Sequence, residues 1–162
     1  MKPKMQLAIT SLAMVACFAW SPIQALAQAE QIEITAMITA RTFLEPPVIE
    51  PVGPLTRMTV HVLWTATGSD PRLEGLQEII GVWMIDPRDG SSVGRGKWTS
   101  VLTLGGQVDG TWCMDRSGTM HATGFVTGGE LDGAILNLVS VAGHPLVGWV
   151  SYEGCILLPA RK

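Results

Sequence analysis

From residue 30 onward the apolar residues recur at every second position, and this periodicity commits the chain to β-structure. A step of two sends successive side chains to opposite faces of a strand, whereas a helix needs apolar residues three and four apart. In Gln31–Thr42, Ile32, Ile34, Ala36, Ile38 and Ala40 face one way, and Glu33, Thr35, Met37, Thr39 and Arg41 face the other. That is a strand with one buried face. Met58–Thr67 repeats the pattern with Met58, Val60, Val62, Trp64 and Ala66. Further strands are predicted over Gln77–Asp86, Gly94–Leu104, Asp109–Asp115, Thr119–Thr127, Ala134–Ala142, Leu146–Glu153 and Cys155–Leu158. Between them stand turn signals: Gly68-Ser69-Asp70-Pro71, Asp86-Pro87-Arg88-Asp89-Gly90, Gly105-Gly106, Arg116-Ser117-Gly118, Gly128-Gly129 with Asp132-Gly133, and Gly143-His144-Pro145. Leu44–Arg57 differs, carrying Pro46, Pro47, Pro51 and Pro54. Proline has no N–H for a ladder, so this stretch is expected to be an extended connector rather than a strand. About eight or nine short strands at a spacing of about 12 residues predict an all-β antiparallel meander closed into a calycin-like barrel, with a β-sandwich as the alternative.

Residues 1–29 stand outside this pattern and read as a secretory signal peptide. Lys2 and Lys4 precede the uncharged apolar run Met5–Trp20. Ser21-Pro22 breaks that run, and cleavage is expected after Ala27 or Ala29. The run is shorter than the ~20 residues of a membrane span, so no span is expected once the leader is removed. Met14-Val15-Ala16-Cys17 loosely resembles a lipobox, which would leave a lipoprotein anchored at Cys17. Against that, the chain stays apolar after Cys17. Export to the periplasm or outside the cell follows. The chain thus divides into a leader (1–29), an N-terminal strand with its Pro-rich connector (30–57) and a barrel body (58–162), the last two forming one domain.

Cleavage changes the charge and the cysteines. Losing Lys2 and Lys4 takes 11 basic residues to 9 against 14 acidic ones, and the net charge from −3 to −5. An acidic chain lacks the basic patch of a nucleic-acid binder. With 47% hydrophobic and only 15% charged residues it also lacks the composition of a disordered one. Losing Cys17 leaves Cys113 and Cys155, and an even pair in an exported chain predicts a disulfide. It would close a loop of about 40 residues and contribute about 3–4 kcal/mol in the chain-entropy picture. The alternative is two free thiols. No histidine lies at ligand spacing to either, so no metal is expected there.

Three Gly-x-Trp units recur: Gly81-Val82-Trp83, Gly96-Lys97-Trp98 and Gly110-Thr111-Trp112. Leu73-Glu74-Gly75-Leu76 and Leu131-Asp132-Gly133-Ala134 form a second echo. In a curved sheet glycine permits a bend and leaves room for a large neighbour. Trp64, Trp83, Trp98 and Trp112 are therefore expected inside the barrel, either as a packed core or as the lining of a site for a small hydrophobic ligand. Gln77–Asp86 is apolar on both faces, and so is Ala134–Ala142. An antiparallel strand of that kind needs cover on both sides. The Pro-rich connector or another subunit would supply it, and a homo-oligomer, dimer or trimer, is expected through these strands.

The run Gly94-Arg95-Gly96-Lys97-Trp98, then Asp109-Gly110-Thr111-Trp112, then Gly124 and Gly128-Gly129-Glu130-Leu131-Asp132-Gly133 resembles the turns of small secreted barrels related in shape to allene oxide cyclases and dirigent proteins. The likeness spans Leu73–Cys155. It implies an eight-stranded antiparallel barrel, often trimeric, with an apolar pocket at one mouth. Such families steer cyclisation or coupling of a hydrophobic substrate without a cofactor. None of their substrate-handling side chains has a counterpart at a numbered position here, so the likeness implies shape and not activity.

Signs of chemistry are sparse. His61, His121 and His144 are the only histidines, and none has metal-site spacing to a carboxylate cluster. Glu130 and Asp132 lie two apart beside Gly133, and with His121 they are the best acid–base candidates. Asp beside Gly more commonly caps its own turn. No Gly-x-Ser-x-Gly elbow, phosphate loop, dinucleotide fingerprint or Cys-x-x-Cys occurs. No cofactor or metal is expected. The sequence therefore favours a non-catalytic exported barrel that binds a small hydrophobic ligand. The alternatives are a cofactor-free cyclase or isomerase and a structural cell-envelope module with a packed core.

Overall fold

The computed structural model describes residues 30–144 and 148–160. The predicted leader, with Cys17, Ala27 and Ala29, lies outside the described residues, as do Pro145 and Leu146. Eight strands follow in order: β1 (Glu30–Val52), β2 (Leu55–Gly68), β3 (Gly75–Ile85), β4 (Ser92–Leu102), β5 (Gln107–Met114), β6 (Met120–Thr127), β7 (Ile135–His144) and β8 (Trp149–Leu158). Each pairs antiparallel with the next, and β8 pairs with β1 to close a barrel. Closure removes the sandwich alternative. Gly143 and His144 belong to β7 rather than to a turn, and the chain end is one strand rather than two.

The proline-rich segment departs from expectation. It is not a connector: β1 runs through it, and Val48, Ile49, Glu50, Pro51 and Val52 pair with Thr59, Met58, Arg57, Thr56 and Leu55 of β2. Among the described residues β8 pairs with β1 only as far as Ile38. Beyond that point β1 is an edge strand. An edge strand needs donors on one side only, so it accommodates proline where a central strand cannot. Register shifts at Thr39/Arg41, Phe43/Glu45 and Glu45/Val48 mark where the ladder skips.

The interior is built from the Gly-x-Trp units. Glycine and tryptophan two apart share the inward face, and the register sets each indole against glycines of neighbouring strands. Trp83 pairs with Gly94, Gly96 with Trp112, and Trp98 with Gly110. The Trp112 ring lies across Gly81 and Gly96, and the Trp98 ring across Gly110 and Gly124. A Cβ on any of Gly81, Gly94, Gly96, Gly110 or Gly124 would fall within 3.0 Å of an indole atom. Trp83 and Trp112 also stack at 4.6 Å between ring centroids, within the range of favourable aromatic pairs. Trp64, Trp83, Trp98 and Trp112 are each at most 5% exposed.

At one end of the barrel the β3–β4 turn is pinned by Asp86. This buried carboxylate accepts the Arg88 backbone N–H at 3.0 Å and the Arg88 guanidinium. Those donors hold its pKa down to about 2. At the other end Asp132 accepts the Gly128 N–H at 2.6 Å across the β6–β7 turn.

The expected disulfide does not form. Cys113 and Cys155 are free thiols, the first exposed and the second partly buried. Cys113 lies on β5 and Cys155 on β8, with β6 and β7 between them. Strand spacing of about 4.8 Å over three steps puts their backbones roughly 12–14 Å apart, whereas a disulfide needs Cα atoms about 6 Å apart. The even cysteine count carried no information on this separation.

Two outcomes follow. Gly110→Ala should destabilise the fold by about 1–3 kcal/mol or more through overpacking against Trp98, while Gly90→Asn, with φ +73° and open space beside it, should cost under about 1 kcal/mol. Urea unfolding midpoints compare the two, and equal effects would refute the indole seats. Under non-reducing conditions a thiol reagent should titrate both Cys113 and Cys155 after unfolding, with Cys113 reacting before Cys155 in the native protein. Reductant should leave the unfolding midpoint unchanged.

Candidate functional site

Among the described residues, two small, partly open spaces lie inside the barrel. One, of about 40 Å³, is lined by Gln77, Ser100, Trp98 and Tyr152 among apolar side chains. The other, of about 20 Å³, lies against Gln77, Trp98, Trp112, Met120 and Tyr152. Small-ligand pockets run to about 300–1,000 Å³, so these spaces are an order of magnitude too small for one. Of the four tryptophans expected at a ligand site, Trp98 lines both spaces and Trp112 one.

The interior carries unpaired polar atoms, and Gln77, Trp98 and Trp112 among their residues line these spaces. Gln77 Oε1 and the Nε1 atoms of Trp64, Trp83, Trp98 and Trp112 are buried with no hydrogen-bond partner. The donors outnumber the acceptor, and the Trp83, Trp98 and Trp112 indoles are seated on glycines by their shape. The remaining polar groups are engaged. Ser100 Oγ donates to the Leu76 carbonyl at 3.3 Å, and the Tyr152 hydroxyl donates to Met120 Sδ at 3.6 Å. Burial pushes the Tyr152 pKa up, so its phenol stays protonated and supplies no base.

The acid–base candidates are scattered. His121, Glu130 and Asp132 are all exposed. His121 stands near the start of β6, on the outer face with Thr123 and Phe125. Glu130 and Asp132 lie in the turn after β6, nine and eleven residues further along, six of those steps within the strand. At about 3.3 Å per residue that is roughly 20 Å from His121. Asp132 spends its carboxylate on the Gly128 N–H. Asp109 and Asp115 are similarly engaged, by Thr99 and Gln107 and by the Ser117–Thr119 turn. Among the described residues no three His, Cys, Asp or Glu side chains converge to hold a metal ion.

What is assembled lies on the outside. His61 on β2 sits between two carboxylates from neighbouring strands: Nε2 is 2.6 Å from Glu78 Oε1 of β3, and Nδ1 is 3.4 Å from Glu45 Oε1 of β1. Only the imidazolium has an N–H for both partners. The Glu78 hydrogen bond, then the Glu45 one and the charge of both, raise the His61 pKa above 6.5 against a smaller lowering by burial. The sequence placed His61 on the outward face of its strand but showed nothing of this bridge. Glu45 and Glu78 are 16 and 17 positions away and meet it only through the register.

A groove of about 620 Å³ opens beside this bridge, between the β1–β2 hairpin tip and the outer face of β3 and β4. Val52, Val82, Met84 and Val93 line it with Gly94, and Arg57 and Arg95 supply its charge. Arg57 reaches Glu50 at 4.0 Å. The one sequence signal of this groove was the second apolar face of β3. No family model, curated protein or solved structure matches the chain.

The His61 bridge gives a pH prediction. Because the folded pKa is raised, the bridge contributes stability that is fully present below about 6.5, the free-histidine value, and is lost as pH rises through the folded pKa. The His61 Cε1–H resonance should titrate above 6.5, and Glu78→Gln should return it toward that value. A titration at or below 6.5 in the native protein would exclude the bridge.

Proposed function

We propose that the chain is an exported, non-catalytic β-barrel that acts as a rigid scaffold and does its binding on its outer surface. The observation that carries this is the filled interior. Indoles occupy the centre, and the interior spaces lined by described residues are about 40 and 20 Å³. A packed interior leaves no room for substrate, and the exposed positions of His121, Glu130 and Asp132 leave a cyclase or isomerase without an acid or base inside. The basic, apolar, small-residue leader supports export to the periplasm or beyond. The likeness to allene oxide cyclase-like and dirigent-like barrels is proposed as one of shape.

A second reading keeps the small hydrophobic ligand inside, near Trp64, Trp83, Trp98 and Trp112. It is favoured by the unpaired Gln77 Oε1 and indole N–H groups around the central spaces. Such a ligand would have to lift at least one indole from its glycine seat. The two readings separate in a titration with the apolar fluorophore 1-anilinonaphthalene-8-sulfonate. A scaffold keeps its blue-shifted tryptophan emission and its Tm unchanged. Saturable quenching of that emission with a rise in Tm would overturn the scaffold in favour of the ligand.

A further inference from the structure

We propose that the proline-bearing half of β1 docks into the outer β3–β4 groove of a second copy of the chain, and that the reciprocal contact closes a two-fold dimer. This goes beyond the scaffold reading and does not need it, because the surfaces involved lie outside the barrel.

The strap from Leu44 to Val52 is exposed on both faces. Phe43, Leu44, Val48, Ile49 and Val52 are 44–65% exposed, and among the described residues no strand pairs with its outer edge beyond Ile38. So much apolar surface on one element marks an interaction site. Ladder extension is not the mode. Pro46, Pro47 and Pro51 lack donors, and the register shifts break the repeat. What remains for a partner is the strap's side chains: apolar ones, with the exposed carboxylates of Glu50, only loosely held at 4.0 Å by Arg57 of its own chain, and of Glu45 beside His61.

The same chain carries the complementary surface. The groove has an apolar floor in Val82, Met84 and Val93, with Arg57 and Arg95 as its charges. Leu76 and Ile80, 53% and 50% exposed, continue its apolar stripe along β3. Acidic and apolar thus faces basic and apolar. This complementarity within one sequence singles out a second copy over an unrelated protein or a lipid. Strap and groove are also contiguous. Glu50, Arg57, Met84 and Val93 form one cross-strand row, and Val52 belongs to both surfaces. A two-fold axis near Val52 therefore brings each strap onto the other groove, and such an isologous contact closes at two subunits.

The test is sedimentation velocity on protein expressed with its own leader and purified. Wild type is expected to be a dimer at roughly micromolar concentration. Glu50→Lys on the strap and Arg95→Glu in the groove should each weaken it by about tenfold or more, because each turns two equivalent contacts repulsive. Mixing the two variants should restore a heterodimer, since both of its contacts are again attractive. Ile49→Asp should leave a monomer with an unchanged circular dichroism spectrum. A monomeric wild type, a trimer, a dimer indifferent to these substitutions, or a mixture that stays monomeric overturns the proposal. None of these outcomes bears on the packing of the interior, which tryptophan emission reads separately.

Discussion

The seating of tryptophan rings on glycines is the interaction on which the rest of the barrel depends. A buried indole removes about 150–250 Å² from water, which at about 25 cal/mol/Å² is about 4–6 kcal/mol per ring as an upper bound. The unpaired indole N–H gives back about 1–3 kcal/mol. Burial therefore wins even though Trp64, Trp83, Trp98 and Trp112 all leave Nε1 without a partner. The gain requires room, and room in an eight-stranded barrel is scarce: its interior is just wide enough for side chains to fill. Gly81, Gly94, Gly96, Gly110 and Gly124 create it by omitting the Cβ where a ring must pass. Bulk and absence of bulk are thus matched across β3 to β6, and closing the sheet fills its own centre.

Tight indole packing in the centre is what favours the proposed role for the outer surface. Four tryptophans on successive strands suggest an aromatic cavity only while their depth and neighbours are unknown. The Trp83, Trp98 and Trp112 rings each lie against glycine backbone of a neighbouring strand, which favours structural mass as the reading. The charged groups agree with this. His121, Glu130 and Asp132 lie at separate places on the surface, while the closest convergence of titratable groups, His61 with Glu45 and Glu78, ties β1, β2 and β3 together on the outer wall. That bridge stands at the root of the exposed half of β1, which gives the strap a fixed base.

Much of the fold was legible in the sequence because it is written locally. Alternation over Gln31–Thr42 and Met58–Thr67, with the Asp-Gly and Gly-Gly corners, located the strands to within a few residues. The Gly128–Asp132 hydrogen bond shows the turn chemistry those corners implied. The proline-rich segment was misjudged for a physical reason. Proline forbids a central strand but not an edge, and whether β1 beyond Ile38 has one neighbour or two depends on where β8 begins. The two faces of β3 were legible as well, and its outer face does line a groove with Val82 and Met84.

The sequence by itself determined the class of structure: strands, turns and the inward placement of Trp64, Trp83, Trp98 and Trp112. These follow from a residue and its near neighbours, since the two-residue period and the φ > 0 demand of a tight turn are local properties. Only the tertiary structure decided which glycine receives which indole, that Cys113 and Cys155 stand three strands apart, and that His61 lies between Glu45 and Glu78. Each is a relation across strands, set by register and barrel closure, and a shift of one residue would send every side chain to the other face. How much space the interior keeps is likewise a relation across strands, because it rests on how side-chain volumes from different strands add up.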